Sequence, residues 1–168
     1  MDDVCARAQA AAVAIGPLLL TRGWKLATAE SCTGGLIGHV LTNVSGSSNY
    51  YWGGVIAYDN SVKMGLLSVC AEDLRTVGAV SPEVALQMAR GVRAATGAQV
   101  GVSTTGIAGP SGGTPSKPVG TVYVGVSTPC GDRVEHYCWL SDREGNKWLS
   151  TAAALEMTLA LLTEQAGS

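Results

Sequence analysis

The spacing of apolar residues alternates along the chain between a helical period and short β-like runs. Apolar side chains recur every three or four positions near the start, which predicts a core-facing helix capped by Asp2 or Asp3 and ended by Gly23. The same reasoning predicts helices over residues 33–42, 61–67, 81–96 and 142–164. Apolar, often β-branched runs predict strands over residues 25–29, 51–58, 99–105, 120–127 and 134–140.

Helices that alternate with strands are typical of a parallel sheet that is covered on both faces. We therefore expect an α/β fold, a three-layer α/β/α sandwich with a mixed, mostly parallel sheet of about five or six strands. The turn-like residues 129–132 join the last two strands as a hairpin, which makes one strand antiparallel. No linker or repeat divides the sequence, so one domain over residues 1–168 is expected.

Composition and charge narrow the classes of function. A length of 168 residues with 46% hydrophobic content suits one sizeable core, and a net charge of −2 gives no long-range attraction for nucleic acid or anionic lipid. The 5 cysteines are widely spread and lack a Cys-x-x-Cys motif, so neither a disulfide framework nor a zinc site is indicated. We expect a cytoplasmic protein that needs no metal or cofactor and binds neither nucleic acid nor membrane.

The apolar start of the chain raises the alternative of a signal peptide. Asp2 and Asp3 stand where a signal peptide carries basic residues, and Arg7 and Pro17 interrupt the apolar run. A core helix is therefore the better interpretation.

Ser31 lies where a predicted strand runs into a predicted helix. The amides of Thr33, Gly34 and Gly35 would be unpaired donors in the first turn of that helix, and such donors can hold an oxyanion beside a nucleophilic hydroxyl. The alternative is that Ser31 or Thr33 is simply a helix N-cap. Cys32 is a rival nucleophile, but a thiol catalyst usually needs a histidine, and His39 and His136 are isolated in the sequence.

A second candidate group, Tyr58 with Lys63, lies at the end of a predicted strand and the start of a helix. The positive end of a helix dipole and partial burial both lower the pKa of a lysine, which would suit Lys63 to act as a base toward Ser31. Tyr58 would then relay a proton or orient the lysine. The alternative is a solvated lysine next to a tyrosine that anchors the strand end.

A third candidate is the Gly- and Pro-rich loop over residues 104–118. It is neither a Walker A loop nor a dinucleotide fingerprint, because the required spacing and the following helix are missing. Threonine hydroxyls and successive glycine amides could cradle a phosphate or a sugar, and long loops in compact domains are usually functional. The alternative is a purely structural turn shaped by three prolines.

Together these segments closely resemble the CinA C-terminal domain family, the nicotinamide-nucleotide amidohydrolases. The matching motifs span nearly the whole chain: Ala-Glu-Ser-Cys-Thr-Gly-Gly at 29–35, Tyr58 with Asn60 and Lys63, Gly-Ala-Val-Ser at 78–81, Thr-Gly-Ile-Ala-Gly-Pro at 105–110, Gly-Gly-Thr-Pro at 112–115 and Lys-Pro-Val-Gly-Thr-Val at 117–122. The resemblance implies a stand-alone amidohydrolase domain that converts nicotinamide mononucleotide to nicotinate mononucleotide and ammonia in pyridine-nucleotide salvage, with a small-molecule nucleotide as its partner.

The resemblance also implies the site residues. Carried over by position, the catalytic residues are Ser31, Lys63 and Tyr58, and the family's threonine falls on Thr105. With the helix-start amides and the glycine loop identified above, the expected substrate-binding residues are Thr33, Gly34, Gly35, Thr105, Gly106, Gly109 and Arg143. A Gly-Asp-Arg-Glu signature of the family meets Ser-Asp-Arg-Glu at 141–144, and Lys147 stands where arginine is common, which would replace a bidentate phosphate contact by a point charge.

Two alternatives to this function remain open in the sequence. One is a non-catalytic nucleotide-binding or regulatory module linked to competence or DNA damage, and the other is a Ser-Lys amidase for another small amide.

Tyr50, Tyr51 and Trp52 are expected to be exposed, which favours a homo-oligomer.

Overall fold

A computed structural model describes residues 1–165 of the chain. The strands are β1 (Leu26–Glu30), β2 (Tyr51–Ile56), β3 (Val100–Gly106), β4 (Thr121–Thr128) and β5 (Gly131–Cys138). The helices are α1 (Asp2–Arg22), α2 (Leu36–Thr42), α3 (Asn60–Leu67), α4 (Ala71–Thr76), α5 (Pro82–Thr96) and α6 (Arg143–Glu164), and a short 3-10 helix spans Ser47–Asn49.

The strands form one sheet in the order β2-β1-β3-β4-β5. β1 is parallel to both of its neighbours, with Glu30 opposite Ile56 on β2 and Thr104 on β3. β4 is antiparallel to both β3 and β5, so it alone runs against the other strands. The expected mixed, mostly parallel sheet of an α/β fold is confirmed.

Two hydrophobic cores flank the sheet. On one face α1, α2 and α6 bury side chains such as Ile15, Ile37 and Leu155 against the sheet. On the other face α3 and α5 bury Leu67 and Met88 against small alanines of β1. Because both faces are covered, β1 is buried along its whole length, and its carboxyl end is held rigidly between two neighbours.

Among the described helices, only α1 is long and apolar enough by length and composition to cross a membrane. In the fold its apolar stripe lies on α6, and Arg7 donates two hydrogen bonds of 2.8 Å to the carboxylate of Glu156. Asp2 and Asp3 lie inside the first turn, after the N-cap Met1, so neither is the expected cap. Gly23 ends the helix in the left-handed conformation with φ 64°.

Two local expectations are corrected by the structure, and one short helix is additional to those expected. The helix expected from residue 33 begins at Leu36, because a turn is inserted after β1. Helix α4 was not predicted, and it buries none of its residues. Tyr50, expected to be exposed, is only 2% exposed because its ring packs over Gly16 of α1, and Tyr51 is half-buried, whereas Trp52 is 51% exposed.

Candidate active site

Ser31 and Lys63 meet at the carboxyl edge of the sheet. Ser31 directly follows β1, and Lys63 lies at the end of the first turn of α3, which follows the adjacent parallel strand β2. The carboxylate of Asp59 caps α3 by accepting a hydrogen bond of 2.8 Å from the Ser61 amide. This cap fixes the helix so that Lys63 Nζ lies 3.2 Å from Ser31 Oγ.

The amine of Lys63 is buried and has no carboxylate partner among residues 1–165. It donates hydrogen bonds to the carbonyl oxygens of Ala57 at 2.7 Å and Tyr58 at 3.2 Å. Burial lowers the pKa of Lys63 below its ordinary value, and the more distant charge of Asp59 offsets part of that shift. The protonated amine donates its third hydrogen bond to Ser31 Oγ at 3.2 Å, and in the neutral amine, which keeps two N–H donors for the two carbonyls, that position is left to the lone pair.

A cavity of about 260 Å³ opens above this pair. Of the residues expected at the site, Ser31, Lys63, Tyr58, Thr105, Gly106 and Arg143 line it, joined by Cys32, Asn60, Ala79, Val80 and Ala108. No acidic side chain belongs to this lining in the described part of the chain, so its charged groups are Lys63 and Arg143. The cavity therefore favours an anionic ligand.

Arg143 joins the rim of the cavity to the glycine loop. It is the first residue of α6, whose N-cap Asp142 accepts a hydrogen bond of 2.8 Å from the Gly145 amide. Its guanidinium donates to the carbonyl oxygen of Gly109 at 2.6 Å and to the hydroxyl of Tyr58 at 3.1 Å. Gly109 thus contributes a carbonyl that orients Arg143, and it does not line the cavity.

The side chain of Tyr58 lies on the rim, 62% exposed, while its backbone carbonyl holds Lys63. Tyr58 orients the lysine through its backbone carbonyl, and its phenol side chain forms no hydrogen bond with Lys63. Its hydroxyl accepts a hydrogen bond from Arg143 at 3.1 Å.

Thr105 and Gly106 form the wall of the cavity at the end of β3. The Thr105 hydroxyl donates to the carbonyl oxygen of Ala79 at 2.7 Å, which ties the 78–81 segment to the sheet. A Cβ at Gly106 would lie 2.6 Å from a methyl group of Val122, so only glycine fits beside β4. Thr105 therefore shapes the cavity through a contact within the protein.

The turn after Ser31 differs from the expected anion site. The Gly35 amide donates to the Glu30 carboxylate at 2.9 Å, and the Gly34 amide donates to the Ser31 carbonyl oxygen at 3.2 Å. Thr33 is fully buried, and its hydroxyl donates to Glu30 at 2.6 Å. Both amides are thus engaged, that of Gly35 by the buried Glu30 carboxylate and that of Gly34 by the backbone of the turn.

Cys32 lines the cavity but is unsuited to be the nucleophile. Burial, with a smaller contribution from the charge of Glu30, raises the pKa of its thiol to about 12. His39 and His136 are both exposed and do not line the cavity. Within residues 1–165 no group of three or more His, Cys, Asp or Glu side chains is arranged to hold a metal.

Two supporting residues were missed in the sequence. Glu30 lies just after the strand predicted over residues 25–29, and Asn146 lies within the helix predicted over residues 142–164; no role is indicated for either. Asn146 is 1% exposed; its side chain donates to the Ala108 carbonyl oxygen at 3.0 Å and accepts from the Ser141 amide at 3.2 Å. The contact of Asn146 with Ala108 has no local sequence signal, because the two residues are 38 positions apart; the partners of Glu30 lie three to eight residues after it, and only the turn geometry shows that they converge on its carboxylate.

Sequence comparison decides the family. The sequence model of the CinA C-terminal domain matches residues 8–162. The chain belongs to the CinA C-terminal domain family. A CinA-like protein of Nostoc sp. is 50% identical over 155 residues, 85% of this chain and 36% of the relative. A CinA-like protein of Salinibacter ruber is 56% identical over 142 residues, 84% of this chain and 34% of the relative. The chain thus spans about a third of the length of these CinA-like relatives.

Solved structures of CinA proteins share the fold. The competence/damage inducible protein CihA from Agrobacterium tumefaciens superposes with a TM-score of 0.90 at 38% identity, covering 92% of this chain and 95% of its own. A CinA superfamily protein from Escherichia coli has a TM-score of 0.87 at 29% identity, and the match covers 93% of this chain and 90% of the Escherichia coli chain.

Proposed function

We propose that this CinA-family chain hydrolyses the carboxamide of nicotinamide mononucleotide to give nicotinate mononucleotide and ammonia. The observation that carries the proposal is the buried amine of Lys63, 3.2 Å from Ser31 Oγ and without a carboxylate partner among the described residues. A lysine that merely packs in a core gains nothing from this arrangement, whereas a base that must be neutral near physiological pH requires it.

In the first half of the reaction, the Lys63 amine takes the hydroxyl proton of Ser31 as Oγ attacks the carboxamide carbon. The tetrahedral adduct then collapses, the C–N bond breaks, and the Lys63 ammonium gives its proton to the departing nitrogen, which leaves as ammonia. We assign this donor role to Lys63, because its Nζ lies 3.2 Å from Ser31 Oγ and has just received the proton. The product of this half is an acyl ester on Ser31.

In the second half, water attacks the ester and Lys63 takes one of its protons. The bond between Ser31 Oγ and the acyl carbon breaks, and the proton returns to Oγ. One water is consumed, and the carboxylic acid is released and ionises in solvent.

The oxyanion of the adduct requires donors near Ser31. Since the amides of Gly34 and Gly35 are engaged, we assign this role to the amides of Cys32 and Thr33, which have no acceptor among residues 1–165. They belong to the turn that presents Ser31, and Cys32 lines the cavity. Of the amides expected from the sequence, Thr33 is kept, and Cys32 takes the place of Gly34 and Gly35.

Recognition of a nucleotide rests on charge. The phosphate of nicotinamide mononucleotide is anionic, and Arg143 offers a guanidinium at the rim of a cavity that has no acidic lining residue in the described chain. Because Ser31 and Arg143 line the same cavity, one ligand could present its carboxamide to the hydroxyl and its phosphate to the guanidinium.

The test is ammonia release by the purified protein from nicotinamide mononucleotide, nicotinamide and glutamine. Turnover of the mononucleotide alone supports the proposal, and faster turnover of another amide would reassign the substrate. Ser31→Ala should lower turnover at least about 10³-fold, as loss of a covalent nucleophile does. Ser47→Ala, another buried serine but outside the cavity lining, is the matched control. No turnover of any amide by a folded wild type would favour a non-catalytic binding module.

A further inference from the structure

We propose that Glu30 is a positioning residue, whose buried carboxylate holds the turn that presents Ser31 to Lys63. The inference rests on the proposed function, because it assigns a role in the Ser31 reaction. It concerns a residue that touches neither the cavity nor the reacting atoms.

The Glu30 carboxylate accepts four hydrogen bonds from a stretch of six residues. One oxygen accepts from the Thr33 hydroxyl at 2.6 Å and the amides of Gly35 at 2.9 Å and Ile37 at 3.1 Å, and the other accepts from the Gly38 amide at 2.9 Å. Every donor lies in the turn or in the first turn of α2. The side chain therefore fixes both ends of the segment that begins with Ser31.

The backbone of Glu30 reaches the other half of the catalytic pair. Its carbonyl oxygen accepts a hydrogen bond of 2.8 Å from the Ala57 amide, and the Ala57 carbonyl accepts from Lys63 Nζ at 2.7 Å. One residue thus holds the serine turn through its side chain and the lysine acceptor through its main chain. Any shift of the turn is a shift of Ser31 relative to Lys63.

The charge of Glu30 has a second effect on the site. The side chain is 2% exposed and forms no ion pair with any described residue, so the positive end of α2 and its amides compensate its charge. Because the carboxylate fills that end of the helix, a substrate anion cannot bind there. The anionic adduct is directed to the amides next to Ser31.

Glu30→Gln is the appropriate variant, because it keeps the size of the side chain and removes its charge. An amide group cannot accept from all four donors, since its NH₂ would face one of them. We expect kcat for nicotinamide mononucleotide to fall about 10- to 100-fold, as displacement of a catalytic group by a fraction of an ångström to an ångström does. KM should change by less than about 3-fold, because Arg143 and the cavity wall are untouched.

The control is Ser103→Ala, which loses a buried hydrogen bond of 2.6 Å to the Ala85 carbonyl oxygen in the same sheet but outside the cavity lining. Circular dichroism and thermal unfolding establish that each variant is folded at the assay temperature. If Glu30 merely stabilises the fold, folded Glu30→Gln keeps the wild-type kcat, as Ser103→Ala does, and the proposal is overturned.

A second measurement needs no substrate. The rate at which a fluorophosphonate labels Ser31, followed by mass spectrometry, reports whether Lys63 still activates the hydroxyl. We expect labelling of Glu30→Gln to slow about 10-fold or more relative to wild type. If wild type fails to hydrolyse nicotinamide mononucleotide, the proposed function falls, yet slower labelling still supports the role of Glu30. Equal labelling rates in the two proteins would overturn that role even if the wild type is active.

Discussion

Lys63 Nζ lies 3.2 Å from Ser31 Oγ although the two residues are 32 positions apart in the chain. The pairing of β1 with β2 brings them together, because two parallel strands end at the same edge of the sheet. Their separation is therefore set by the sheet and by the cap of α3, both of which are rigid elements. Rigid support of this kind is what a proton transfer between two side chains requires.

Lys63→Met tests the base. In the wild type, activity should rise with pH as Lys63 loses its proton, with a midpoint below the ordinary lysine value of 10.5 because burial lowers the pKa. The Met variant should lose at least about 10³-fold in turnover at every pH and show no such rise. Lys25→Met, outside the cavity lining, should keep the wild-type profile of kcat against pH. A rise that survives in Lys63→Met would identify a different base.

The same burial predicts how stability depends on pH. The pKa of Lys63 is lower in the folded chain than in the unfolded chain, so between the two values the unfolded chain binds more protons. The contribution of Lys63 to the free energy of unfolding should therefore increase, and stabilise the fold, as pH rises toward 10.5. Lys63→Met should lack this increase. Urea unfolding of both proteins across this range measures it. If the difference in free energy of unfolding between the wild type and Lys63→Met stays constant with pH, the lowered pKa of Lys63 is contradicted.

Arg143→Ala should weaken substrate binding more than chemistry. The guanidinium touches Tyr58 and Gly109 on the rim and makes no contact with Ser31 or Lys63. We expect KM for nicotinamide mononucleotide to rise about 10- to 100-fold while kcat changes only a few-fold, as loss of a charge-assisted phosphate contact does. Arg143→Lys should recover only part of the loss, since lysine cannot form two parallel hydrogen bonds.

The control for Arg143 is Arg90→Ala, which removes an arginine paired with Asp132 outside the cavity lining. Its kinetic constants should match the wild type. A larger fall in kcat than rise in KM for Arg143→Ala would place the guanidinium at the reacting carboxamide instead.

Replacement by alanine at two helical glycines should change the stability of the fold in opposite directions. A Cβ at Gly91 of α5 would collide with the carbonyl oxygen of Leu67 at the end of α3, whereas a Cβ at Gly65 of α3 would meet nothing within 4 Å. Gly91→Ala should lower the free energy of unfolding by about 1–3 kcal/mol. Gly65→Ala should raise it by about 0.5–1 kcal/mol, because alanine is the better helix former. Urea denaturation of both variants measures the two changes in free energy of unfolding. Changes of the same sign would contradict the close approach of α5 to α3.

Much of the fold follows from local signals in the sequence. Ser81 caps α5 by accepting from the Val84 amide at 3.3 Å, and Gly23 ends α1, as the residue types indicate. The meeting of Ser31 and Lys63 also follows, once both are placed at the carboxyl ends of parallel strands. These features depend on neighbours in the sequence or on the period of the apolar residues.

The rest depends on contacts between distant segments. Tyr50 is buried because Gly16 of α1 leaves room for its ring, and nothing near Tyr50 indicates that partner. The sequence predicts that α2 starts at residue 33, but the helix starts at Leu36. Thr33 lies instead in the preceding turn, where its hydroxyl donates a hydrogen bond to the Glu30 carboxylate. A serine between a strand and a helix, followed by glycines, indicates free backbone amides at the start of the helix. Only the fold shows that the Glu30 carboxylate accepts a hydrogen bond from one of them, the Gly35 amide.

The charge of the cavity has a consequence for the end of the catalytic cycle. Its charged lining groups within residues 1–165 are Lys63 and Arg143, with no acid among them. The proposed reaction turns a neutral carboxamide into a carboxylate, so the product carries one more negative charge than the substrate and is held more strongly by the Arg143 guanidinium, and by Lys63 whenever its amine is protonated. The acid should therefore inhibit the reaction as it accumulates, and sustained flux would rely on a later enzyme that removes it.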